Sequence, residues 1–70
     1  MRDYRSHIGR LVIVQLSVGD AISGTLARAG ADVLELHDAA YLAAAGSAEP
    51  KPIDGTVLID RLSITWVQVP

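Results

Sequence analysis

Seventy residues with a formal net charge of −2 and no cysteine exclude a multidomain chain, a disulfide framework and thiolate metal sites. A chain of this size buries only about 60% of its unfolded surface and is marginal alone, yet half of its residues are apolar, so self-association is the simplest outlet for the surplus. The charge is uneven: Arg2, Arg5 and Arg10 stand against Asp3 in a basic leader, whereas Arg28, Lys51 and Arg61 are outnumbered by Asp20, Asp32, Glu35, Asp38, Glu49, Asp54 and Asp60 in an acidic body, unlike the basic balance of a dedicated duplex-binding domain.

In chain order, residues 3–8 are expected to form one or two turns of helix, with Tyr4 and Ile8 on one face and Gly9 ending it. A helix this short must dock to persist. The run "LVIVQL", Leu11 to Leu16, reads as a strand with Val12, Val14 and Leu16 on one face and Leu11, Ile13 and Gln15 on the other. Both faces are apolar enough to be covered, one by the core and one by something else. "SVGD" is a turn in which Gly19 takes positive φ.

Residues 21–29 read as a long strand with Ile22, Gly24, Leu26 and Arg28 on one face, and Gly30 breaks it. Residues 33–37 form a third strand with Leu34 and Leu36 inward and Glu35 outward. The segment "DAAYLAAAGSAEPKPIDG" has two readings: an alanine-rich helix, or continuation of the strand through Tyr41 and Leu42 followed by an exposed loop. Pro50 and Pro52 are expected to exclude regular structure. Residues 56–60 and 63–69 are two further strands, with only Arg61 and Leu62 between them.

The expected fold is therefore all-β: a five-stranded, strongly bent, SH3-like small barrel with a short N-terminal helix. Gly24 explains itself in that frame, because a mid-strand glycine permits the tight bend or close backbone approach that a small barrel needs.

Leu16, Gly19, Gly24 and Leu26 stand at the spacing of the first Sm motif, preceded by alternating Val12 and Val14. "VLELHDA" resembles that motif's third strand, and "GTVLIDRLSITWVQV" resembles the second motif. On these residues the chain resembles the Sm-like family (Sm, LSm and Hfq proteins) as a divergent bacterial or phage-type member. The resemblance implies one domain over residues 1–70, with an N-terminal helix at 1–9, the first motif at 10–38, a variable region at 39–54 and the second motif at 55–69. It also implies a homo-oligomeric ring of about five to seven copies, in which each fourth strand pairs with a neighbour's fifth. Thr56, Val57, Leu58, Ile59, Ile64, Trp66 and Val67 would carry that interface.

The ligand implied by the resemblance is single-stranded RNA, with Asp32, Arg61, Arg2, Arg5 and Arg10 as the candidate contacts. The alternative is a structural or protein-interaction ring that binds no nucleic acid. The Asp and Asn that RNA-binding members carry between strands two and three have no equivalents here: Val33 or Leu34 takes the Asn position, depending on register, and Gly30 the Asp position. The family's Arg-Gly after the fourth strand reads Asp60-Arg61. For Arg61 the competing role is an ion pair with Asp60 or with a neighbouring subunit, and for Trp66 it is filling the core or the subunit seam.

An enzyme is not expected. His37 and Asp38 are strand neighbours that point to opposite faces, no nucleophile has a motif around it, and no Gly-rich phosphate loop is present. His7 and His37 are too few for a structural zinc site, so neither metal nor cofactor is expected. No apolar core follows the first six residues and no run approaches the roughly 18 apolar residues of a membrane span, so a cytoplasmic location is expected.

Overall fold

A computed structural model describes residues 3–42 and 49–70. The described residues hold six antiparallel strands: β1 (Leu11–Leu16), β2 (Ala21–Ala29), β3 (Val33–Leu42), β4 (Lys51–Pro52), β5 (Val57–Asp60) and β6 (Ile64–Gln68). They form one sheet in the order β4-β3-β2-β1-β6, with β5 sharing the edge of β3 with β4. The all-β expectation holds, but backbone pairing leaves the sheet open: β5 pairs with β3 and β6 with β1, at opposite ends of the order.

The core is the inner face of this curled sheet. Val12, Val14, Leu26, Leu34, Leu36, Ala39 and Ile59 are buried, and Tyr4, Leu16, Ile22, Val57, Ile64 and Val67 pack against them. The alternation read from "LVIVQL" and "VLEL" therefore places the core correctly on β1 and β3, because successive side chains of a strand alternate between faces.

The bend lies where β2 crosses β3. Ser23 pairs with Ala40 and Thr25 with His37, so Gly24 faces two residues, Asp38 and Ala39. This is a β-bulge, and Asp38 adopts φ +52° to make it. The extra residue shifts the alternation of β3, so that Ala39 follows Leu34 and Leu36 into the core. Gly24 faces the closest part of the crossing. A Cβ there would lie 3.2 Å from the Leu36 Cβ, 3.2 Å from the His37 carbonyl oxygen and 3.3 Å from the Ala39 Cα. A second irregularity between Leu26 and Arg28 leaves Ala27 as the extra residue on β2 and adds to the curl.

Two local expectations are corrected, the N-terminal helix and the prolines, and one open reading is decided. The N-terminal helix is a single 3-10 turn at Arg5–His7. The Asp3 carboxylate accepts the Arg5 N–H at 2.9 Å, and Gly9 at φ +91° turns the chain so that its N–H donates to the Leu26 carbonyl at 2.8 Å. Tyr4 packs on the core while Ile8 stays 47% exposed, so the two do not share a buried face. In the variable region the strand reading prevails, since β3 runs to Leu42; residues 43–48 of the expected loop lie outside the described residues. The prolines do not exclude pairing: Lys51 and Pro52 lie opposite Tyr41 and Ala40, at a sheet edge, where a proline's missing N–H is tolerated.

Candidate functional site

β5 and β6 are the elements that the sequence singled out as a candidate interface, and both are edge strands. Leu34 and Leu36 of β3 hold β5 in register, with Ile59 opposite Leu34 and Val57 opposite Leu36. Val14 of β1 holds β6 through Val67. A 3-10 turn at Arg61–Ser63 joins the two strands, with the Asp60 Oδ1 accepting the Leu62 N–H at 3.0 Å as its N-cap.

Of the residues expected at an oligomer interface, Ile59 turns its side chain into the core and is 5% exposed. Val57, Ile64 and Val67 pack against the same core. Thr56 precedes β5 and is exposed. Leu58 is 62% and Trp66 45% exposed. Trp66 lies opposite Gln15, on the outer face that also carries Ile13 and Leu11, so the core role weighed for it is corrected. The edge strands thus present their unpaired backbone together with Leu58 and Trp66.

The candidate RNA contacts fall in several settings. Arg2 lies outside the described residues, and Arg10 and Asp32 are exposed. Arg5 is tied to its own leader: its guanidinium meets the Asp3 carboxylate through Nε at 3.1 Å and Nη2 at 3.0 Å. These hydrogen bonds hold the Asp3 carboxyl down from 3.8 to about 2. A depressed carboxylate strengthens its turn fully above the ordinary value and loses that contribution as the pH falls through about 2. A carboxyl-carbon NMR titration is therefore expected to give Asp3 a midpoint well under 3.8; a midpoint at the ordinary value would show that the Asp3–Arg5 pair does not persist in solution.

Arg61 is the junction of three segments. Its backbone N–H donates to the Asp32 carbonyl at 2.8 Å, and its Nη1 donates to the Gly30 carbonyl at 2.7 Å. Its guanidinium lies 4.9 Å from the centre of the Tyr4 ring. The arginine thereby pins the β2–β3 loop and the N-terminal segment to the β5–β6 turn. Arg61→Ala is expected to cost about 1–2 kcal/mol in a denaturant titration, from one charged hydrogen bond and one cation–π contact; an unchanged midpoint would mean that water replaces both. This junction was invisible in the sequence because 57 positions of chain separate its aromatic and cationic members.

Two other polar contacts went unread. The Asp20 carboxylate beside the Tyr41 hydroxyl raises the Tyr41 pKa. The His37 Nε2 lies 3.3 Å from the Glu35 Oε2, two positions apart on the same strand face. Among the described residues no group of three or more His, Cys, Asp or Glu side chains is placed to hold a metal ion, and no helix is long and apolar enough to cross a membrane.

No known family profile matches the sequence, and no curated protein matches it. Nine chains of solved structures match the fold. One belongs to a crystal structure of the NatC complex bound to CoA, with a TM-score of 0.80 and 20% identity over 100% of this chain and 87% of that one. At that identity the likeness is one of fold.

Proposed function

We propose that this chain is an Sm-like small barrel that assembles with copies of itself into a closed ring and works as a structural or protein-interaction module, not as an enzyme. The observation that carries the reading is the pair of open edges. Among the described residues β5 and β6 each have one strand partner, they are matched in length at four and five residues, and they sit at opposite ends of the strand order. Unpaired edges invite pairing with another chain. Pairing β5 of one copy with β6 of the next is a heterologous contact, and a closed cycle of such contacts leaves neither of these two strands unpaired. The exposed Leu58 and Trp66 lie on the same two strands. The fold neighbour in the NatC structure also comes from a complex, in line with a barrel of this shape serving as an assembly part.

Binding of single-stranded RNA is the weaker reading. Arg5 is engaged by Asp3 and Arg61 by Gly30 and Tyr4, while Asp32 is an acceptor-only group that repels phosphate. The body around them is acidic. Amide hydrogen exchange at low and high protein concentration tests the assembly: added protection confined to residues 57–60 and 64–68 is expected at high concentration, and identical exchange at both would contradict edge pairing. Titration with U-rich and A-rich oligonucleotides across a salt series separates the two readings. No binding is expected; saturable binding that weakens steeply with salt would restore the RNA reading.

A further inference from the structure

The order of apolar side chains on β5 repeats the order that already covers the other side of β6. On its paired side β6 meets Val14, Gln15 and Leu16 of β1, which lie opposite Val67, Trp66 and Ile64. Val67 and Ile64 pack against the core and Trp66 is 45% exposed on the outer face, so the three steps run inner, outer, inner. Thr65 is the extra residue of a bulge between the second and third steps. β5 offers Val57, Leu58 and Ile59 with the same alternation: Val57 packs against the core, Leu58 is exposed and Ile59 is buried. Within one chain the two strands part at the Arg61–Ser63 turn, β5 toward β3 and β6 toward β1.

Face matching restricts how two such edges can join. The described strand pairs are all antiparallel, and a one-residue slip between antiparallel strands sends every side chain to the wrong face. The allowed registers therefore differ by steps of two. One sets Val57 opposite Val67 and Leu58 opposite Trp66; Ile59 then meets Ile64 once Thr65 is skipped, as it already is against β1. A slip toward the C-terminus sets Leu58 opposite Gln68 and Asp60 opposite Trp66, which puts a carboxylate on the indole and the leucine on an amide. A slip the other way carries Leu58 and Ile59 past Ile64, onto the Arg61–Ser63 turn and off the strand.

We propose that a second copy of this chain docks in the first of these registers, so that Leu58 of one copy packs on the Trp66 indole of the next. The pairing rests on the assembly proposed above and names the side chains that hold it in register. Val57 and Ile59 continue the inner face across the seam, and Leu58 with Trp66 covers the seam on the outer face. Directly opposed aromatic and aliphatic side chains on neighbouring strands stabilise a sheet, and both of these are exposed in the single chain.

Trp66 is the single tryptophan of the chain, so its fluorescence reads this seam directly. The test records tryptophan emission and native mass of the full chain across one dilution series. The assembled species is expected to emit at shorter wavelength than the diluted single chain and to resist quenching by acrylamide. The register is checked with paired cysteines in a chain that has none of its own. One step beyond Val57 and Val67, Thr56 and Gln68 come opposite each other, and directly opposed Cα atoms at about 4.5–5.5 Å are within disulfide range. The double variant Thr56→Cys, Gln68→Cys is therefore expected to give chain-to-chain disulfides under mild oxidation, and Leu58→Cys, Gln68→Cys is not. Assembly by mass with Trp66 emission unchanged, or linkage through positions 58 and 68 instead of 56 and 68, overturns this register and leaves the ring standing. A single-chain mass at every concentration overturns both.

Discussion

Gly24→Val is expected to lower the melting temperature by about 5–20 °C, the scale of a 1–3 kcal/mol overpacking penalty in a domain this small. The reason is the crowded crossing of β2 over β3. A Cβ at Gly24 already meets the Leu36 Cβ, the His37 carbonyl and the Ala39 Cα at 3.2, 3.2 and 3.3 Å, and two of these three atoms are backbone, which cannot swing aside as a side chain can. Valine adds two methyl groups to a contact that has no slack. Gly24→Ala should fall between glycine and valine. Gly19→Asn is the control, because Gly19 has open space around it and only its φ of +105° is demanding, a region that asparagine tolerates better than other side chains. A melting temperature unchanged by valine would mean that the two strands do not approach this closely.

Leu34→Ala is expected to cost about 2–5 kcal/mol, as for other buried leucines, against a total stability of about 0.05–0.15 kcal/mol per residue. Leu34 is 0% exposed and lies opposite Ile59, the buried residue of β5. Its loss opens a cavity beneath the strand that the proposed assembly would use. Leu58, next to Ile59 on the same strand, gives the opposite pattern. It is 62% exposed, so Leu58→Ser should leave the fold of one chain almost untouched and weaken only the association of chains. Denaturant titrations at one fixed protein concentration make the comparison fair, because assembly itself adds apparent stability. Equal losses for both variants would show that Leu58 is part of the fold and not of a contact surface.

The fold was legible in the sequence wherever a simple period ruled. "LVIVQL" and "VLEL" announce half-buried strands, and the glycines at 19 and 24 announce a turn and a bend. Legibility failed where the period broke. Asp38 is an ordinary strand residue by pattern, yet at φ +52° it forms the bulge that turns Ala39 inward; the hint was an aspartate, a residue that tolerates the left-handed region, opposite a glycine. The leader also misled, since Tyr4 and Ile8 have helical spacing but the segment between them makes a short 3-10 turn at Arg5–His7, fixed by Asp3 and by tertiary bonds that no local pattern encodes. At the candidate site, the sequence identified the two edge strands but not which of their side chains remain outside. Ile59 reads no differently from Leu58, and only pairing with β3 decides that one enters the core. The role of Arg61 depends on the Gly30 carbonyl and Tyr4 arriving from distant parts of the chain.

The central claim is that β5 and β6 pair between copies until neither strand is left unpaired. Native mass spectrometry of the purified chain tests it most directly. The account predicts one closed species at an integer multiple of 7.4 kDa, about five to seven chains, with no added mass of nucleic acid. A spectrum dominated by the single 7.4 kDa chain across micromolar concentrations would contradict it.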